Sequence, residues 1–143
     1  GYISHLNIKG IFPSFGDVDG DYDPDMIVGT EHGNLLLFTN CGCIGNVEDY
    51  VLEDTNYHNI DVGEFSTPFV IDLNGDELND LVIGEKNGNL NYYRNDGTKD
   101  DPIYTLVTDS LGHINVTDYS LSNYCYSTPW FFRNQADELE LLV

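Results

Sequence analysis

Residues 17–25 read Asp17-Val18-Asp19-Gly20-Asp21-Tyr22-Asp23-Pro24-Asp25, five carboxylates at alternate positions of a nine-residue stretch with a glycine near its middle. Like charges crowded this closely raise one another's pKa or force the loop open, unless an oxygen-loving cation sits among them. Calcium accepts about six to eight oxygens in flexible geometry, whereas magnesium demands strict octahedral order, so the pattern points to calcium. For a lone copy, a solvated acidic turn is the competing reading. The copy is not alone. Residues 72–80, Asp72-Leu73-Asn74-Gly75-Asp76-Glu77-Leu78-Asn79-Asp80, repeat the oxygens at positions one, three, five and nine, with glycine again at position four. The candidate ligands are therefore Asp17, Asp19, Asp21, Asp23 and Asp25 in one loop, and Asp72, Asn74, Asp76 and Asp80 in the other. In the second loop Leu78 replaces Asp23 and offers its backbone carbonyl. Gly20 and Gly75 allow the positive φ that aims successive oxygens inward. An EF-hand would need Gly at position six and Glu at position twelve, where this chain has Tyr22 and Val28.

The repetition extends well beyond the loop. A shift of 55 residues aligns 13–42 with 68–97 without a gap: Pro13 with Pro68, Met26-Ile27-Val28-Gly29 with Leu81-Val82-Ile83-Gly84, Gly33-Asn34-Leu35 with Gly88-Asn89-Leu90, and Asn40 with Asn95. A third copy begins near the end, where Ser66-Thr67-Pro68-Phe69 returns as Ser127-Thr128-Pro129-Trp130 and Asp80-Leu81-Val82-Ile83 as Glu140-Leu141-Leu142-Val143. Such a period marks a repeat array whose units bury their apolar faces against one another. The third loop is one residue short and has Arg133 where the others have Asp17 and Asp72, so it is expected to bind no ion. Its guanidinium is expected to pair instead with Asp137, Glu138 or Glu140.

These segments resemble FG-GAP/VCBS-type calcium-binding β-propeller repeats, similar to those of integrin α-subunit heads and of many secreted bacterial proteins. Residues 87–95, Asn-Gly-Asn-Leu-Asn-Tyr-Tyr-Arg-Asn, resemble repeats of Bacteroidota surface proteins that carry a type nine secretion sorting domain. The resemblance implies an all-β fold of four-stranded antiparallel blades, with about two and a half blades present. Residues 1–11 would end a preceding blade, 12–65 and 66–126 would be complete blades with calcium loops 17–25 and 72–80, and 127–143 would start a third. A propeller closes with about four to eight blades. Further blades or neighbouring chains are therefore expected at the open sheet edges.

Composition narrows the partners. Five Lys and Arg against 25 Asp and Glu leave a formal net charge of −20, which argues against nucleic-acid backbones and anionic membrane surfaces. Two calcium ions would offset only four of those charges, so most of the acidity belongs to a solvated face. No apolar run is long enough to span a membrane and no targeting segment is evident. Cys41, Cys43 and Cys125 make an odd set without zinc spacing, and Cys41-Gly42-Cys43 stands where the second copy has Asp96-Gly97-Thr98.

The remaining candidates have plain readings. His5, His32, His58 and His113 are scattered, with no HExxH motif and no nucleophile beside them. Ser66-Thr67 and Ser127-Thr128 read as strand-entry hydroxyls. Asn115-Val116-Thr117 has the form of a glycosylation sequon, and Asp109-Ser110-Leu111 that of a short O-glycosylation motif. Tyr92, Tyr93, Tyr104, Tyr119, Tyr124, Tyr126 and Trp130 suit packing between blades better than carbohydrate stacking. The two connections 41–63 and 98–126, where the copies differ, are expected on one rim as the place of recognition. The expected function is an extracellular or cell-surface, calcium-stabilised binding and adhesion scaffold for a protein or glycan, not an enzyme. Two alternatives are non-catalytic blades of a larger secreted polysaccharide lyase or hydrolase, and a structural passenger of a surface protein.

Overall fold

The structure, a computed structural model, describes residues 6–42, 50–117, 120 and 125–143. Tyr2, His5, Cys43, Tyr119 and Tyr124 lie outside the described residues. Among those described there is no α-helix, and ten strands form three antiparallel sheets. The first sheet has the order β1 (Ile11–Gly16), β2 (Asp25–Thr30), β3 (Leu35–Asn40), β4 (Tyr50–Asp54). The second repeats it with β5 (Thr67–Ile71), β6 (Asp80–Gly84), β7 (Leu90–Asn95) and β8 (Tyr104–Thr108). The third consists of β9 (Trp130–Arg133) and β10 (Leu139–Leu142).

Hydrophobic pattern accounts for the layering. β2 and β3 bury both faces and carry nearly continuous apolar runs, Met26-Ile27-Val28 and Leu35-Leu36-Leu37-Phe38, whereas β1 and β4 alternate between exposed and half-buried positions. Successive residues of the inner strands therefore feed different cores. Ile27, Leu35 and Leu37 meet Leu81 and Ile83 of the second sheet, with Tyr57 and Ile60 from the connection closing the layer. Val28, Leu36 and Phe38 face the opposite way, against Leu6, Ile8 and Leu52. Val82, Leu90 and Tyr92 of the second sheet pack against Phe131 and Leu141 of the third. The order of layers is thus segment 6–8, first sheet, second sheet, third sheet. At about 25 cal/mol per Å² of apolar surface, these shared cores hold one sheet to the next.

The first strands of the three sheets are neighbours: the Val70 N–H donates to Ser14 Oγ at 3.2 Å, and the Phe69 ring lies 5.6 Å from Trp130 and 5.5 Å from Phe131. Both complete sheets also carry the same register shift, between Leu37 and Phe38 and between Tyr92 and Tyr93.

Three expectations need correction. Residues 6–10, expected within the end of a preceding blade and hence as part of its outer strand, form no strand; Leu6 and Ile8 instead cap a core from a turn and an unpaired stretch. Part of each divergent connection belongs to the repeat. Asn56 (φ −149°, ψ 57°) and Ser110 (φ −147°, ψ 61°) each open a 3-10 turn that ends at Ile60 and Ile114, and the bridges Asn34–Asp61 and Asn89–Asn115 then anchor the chain to the neighbouring turns. Nor do the connections share one rim. The hairpin between β7 and β8 sits beside the acidic loops, while 110–117 lies against the turn between β6 and β7, because the outer strand carries the chain across the sheet.

Candidate metal centre

Each acidic loop joins the first strand of a complete sheet to its second. In the first loop the Gly20 N–H donates to Asp17 Oδ1 at 2.7 Å and the Tyr22 N–H to Asp17 Oδ2 at 3.2 Å, while Asp19 and Asp21 accept from the N–H two residues ahead. The second loop reproduces this ladder: Gly75 and Glu77 donate to Asp72, Asp76 donates to Asn74, and Leu78 donates to Asp76. Gly20 (φ 80°) and Gly75 (φ 82°) supply the left-handed step that turns the ladder inward.

The structure brings Asp17, Asp19 and Asp21 together, with one oxygen from each lying within 4.8 Å of the others. That is a spacing a single hard cation can span at about 2.3–2.6 Å per oxygen. The Asp19 carboxyl is held above the usual carboxylate range, chiefly by burial and further by the charges of Asp25, Asp21 and Asp17, against an opposing hydrogen bond from Asp21. Asp23 does not join the cluster; its Oδ2 lies toward Gly42, beyond β3.

Position nine ties each loop to its own sheet. Asp25 is fully buried, accepting from Val18 N–H at 3.0 Å and Asn40 N–H at 2.9 Å, so one carboxylate ties the start of the loop to the end of β3. Asp80 does the same with Leu73 N–H and Asn95 N–H, and accepts in addition from the Tyr92 hydroxyl at 2.9 Å. Burial raises the Asp80 pKa, and those three donors work against the rise. These two carboxylates brace the loops.

In the third copy, Arg133 Nη1 donates to the Asp137 carbonyl at 2.9 Å and approaches its carboxylate at 3.6 Å, while Asn134 Oδ1 accepts from Ala136 and Glu138 N–H. A guanidinium and an asparagine thus organise the shortened loop.

Two residues read as simple strand-entry hydroxyls do more. Ser66 and Ser127 are fully buried. Ser66 Oγ accepts from Thr30 N–H at 2.8 Å and donates to the Asn34 carbonyl at 2.9 Å. Ser127 Oγ does likewise with Glu85 N–H at 2.9 Å and the Asn89 carbonyl at 2.6 Å. Each serine therefore latches the segment entering one sheet onto the sheet before it. A Cβ on Gly29 or Gly84 would overlap the carbonyl of Ser66 or Ser127, which explains the glycine ending each second strand. The signal was present as the Ser-Thr-Pro repetition, but hydroxyl geometry is invisible in sequence.

Of the aromatic candidates, Tyr92 is buried, Tyr93 packs against the core beside Tyr104, and Tyr126 and Trp130 are exposed. Asn115 Nδ2 is engaged with the Asn87 carbonyl and Asn89 Oδ1, which gives the sequon asparagine a structural role. No helix of the described residues is long and apolar enough to cross a membrane. Comparison with known proteins gives no match among family models, curated proteins or solved structures.

Proposed function

We propose that the chain is a segment of an extracellular, calcium-stabilised β-propeller that acts as a binding scaffold for a protein or glycan ligand. The observation that carries this reading is one carboxylate ladder built twice, at the same place in two stacked four-stranded sheets. The donor set is all oxygen, as a hard cation requires. The neighbouring first strands and the serine latches suit blades arranged about an axis. Calcium would be held by Asp17, Asp19 and Asp21 and by Asp72, Asn74 and Asp76, with Asp25 and Asp80 closing each loop from behind. Its contribution is order: it neutralises crowded carboxylates and fixes the end of the sheet on which a ligand would rest.

Extracellular calcium modules bind at about 10⁻⁴–10⁻³ M, so millimolar calcium, up to about ten times Kd, adds up to about 1.4 kcal/mol per site. Thermal melts in millimolar calcium and in excess EDTA should differ by several degrees or more, and titration calorimetry should find two ions. An unchanged melt would reject the calcium reading. Binding to a glycan array without product formation would support the scaffold role over the enzyme alternative.

A further inference from the structure

The first strands of the three sheets enclose a groove. Two adjoining cavities of about 440 and 400 Å³ share Phe12, Thr67 and Thr128; the larger reaches Phe15 and Trp130, the smaller Phe65 and Tyr126. More than half of the surface of Phe15, Tyr126 and Trp130 is open to solvent. Edge-on contacts set the rings, Trp130 on Phe69 at 5.6 Å, and Phe65 on Tyr126 at 4.9 Å and on Phe12 at 6.5 Å. Among the described residues, none that lines either cavity is charged, although the chain has 25 acidic and five basic residues. An open apolar patch in so charged a chain marks a surface that a partner covers.

The lining decides between occupants. Of its hydroxyls, Thr67 Oγ1 donates to the Ser127 carbonyl at 2.8 Å and Ser14 Oγ accepts from Val70 N–H at 3.2 Å. A glycan would bring a dense set of hydroxyls to a groove with neither a carboxylate nor an amide side chain to meet them. A second copy would bring another concave groove and another net charge of −20. An extended polypeptide in the polyproline conformation lays apolar side chains against the rings, and its backbone, which makes no internal hydrogen bonds, stays in water. The end of the groove sets the sign of the partner's charge. Phe15 leads through Gly16 into Asp17, and Val70 leads through Ile71 into Asp72, so both strands run from the apolar lining into an acidic loop. Basic residues beside the apolar stretch of the partner match this rim.

We propose that the groove along β1, β5 and β9 is a docking site for an extended, proline- and aliphatic-rich polypeptide segment with lysine or arginine beside it. The inference rests on the scaffold reading above and narrows its ligand to a polypeptide. Trp130 and Phe15 are the anchors of the larger cavity, and the acidic loops steer the partner's basic residues to its end.

The test is selection from a display library of random peptides on the immobilised full chain in millimolar calcium, followed by fluorescence polarisation with the selected peptides. Enriched sequences should combine a proline- or aliphatic-rich centre with lysine or arginine, and their binding should weaken as salt rises. Trp130→Ala should raise their Kd about tenfold or more, and Phe15→Ser should act in the same direction. Both side chains are largely exposed, so thermal melts should find each variant folded, and either one alone suffices for the comparison. Val51→Ser, at an exposed apolar position outside the groove, should leave Kd as it was. No enrichment, enriched peptides without this pattern, or peptides that bind both groove variants as tightly as the parent would overturn the inference. So would a dimer in sedimentation velocity that Trp130→Ala dissolves, which would give the groove to a second copy. Glycan-array binding without peptide binding would overturn the inference and leave the scaffold reading standing, whereas absence of both would overturn both.

Discussion

Removing the Ser66 hydroxyl probes the latch between the first two sheets with a minimal change. The side chain is fully buried, and its oxygen accepts from Thr30 N–H at 2.8 Å while donating to the Asn34 carbonyl at 2.9 Å. In Ser66→Ala the Thr30 N–H has no acceptor and no water, a penalty of about 1–3 kcal/mol. The Asn34 carbonyl keeps the Thr30 hydroxyl at 3.2 Å, so its loss is smaller, about 0.5–1 kcal/mol. The sum is about 1.5–4 kcal/mol, which for a chain of this length corresponds to a fall in Tm on the order of 10 °C. Urea or thermal denaturation at fixed calcium would measure it. Ser127→Ala should cost a similar amount, because Ser127 makes the same pair of bonds with Glu85 and Asn89. Thr128→Ala, at an exposed position, should change little. A Ser66→Ala variant within about 0.5 kcal/mol of the parent would refute the latch, since an orphaned buried N–H cannot cost so little.

The same geometry sets three further outcomes. Asp25→Asn should destabilise the chain by about 2–4 kcal/mol even in EDTA, because an amide cannot accept from both Val18 and Asn40 N–H; Asp21→Asn should show its effect only when calcium is present. Chemical denaturation with and without the ion separates the two. Gly84→Ala would drive a methyl into the Ser127 carbonyl, and a loss of about 2 kcal/mol or more is expected in the same assay. Burial foremost holds Tyr57, Tyr92, Tyr93 and Tyr104 above the ordinary phenol range. A folded pKa above the unfolded one means their stabilising effect is complete below pH ~10 and is lost as pH rises beyond it. Phenolate absorbance should therefore show these four ionising only as the chain unfolds, above the ordinary phenol range.

The strand order, both acidic loops and the Arg133–Asp137 pair could be read from the amino-acid sequence, because each depends on spacing within a short segment. Period-two and continuous apolar runs separate edge strands from central ones, and side-chain oxygens at every second position around a glycine mark a turn that folds the same way in both copies. What spacing cannot carry is which groups meet across sheets. Asp25 and Asp80 look like ligands in a linear pattern, and only the arrival of the Asn40 and Asn95 N–H groups from β3 and β7 turns them into braces. Ser66 and Ser127 look like strand-entry residues until the preceding sheet supplies its Thr30 and Glu85 N–H groups. The turns at 57–59 and 111–113 share a conformation with little shared sequence, since they are held by backbone bonds, from Asn59 and Ile60 N–H to the Asn56 and Tyr57 carbonyls and from His113 and Ile114 N–H to the Ser110 and Leu111 carbonyls, which tolerate many side chains. Asp100 lies in a connection whose sequence does not repeat, and its place on Gly20 exists only once the second sheet is stacked on the first. Local chemistry is written in adjacent residues, whereas contacts between layers depend on the packing that brings distant segments together.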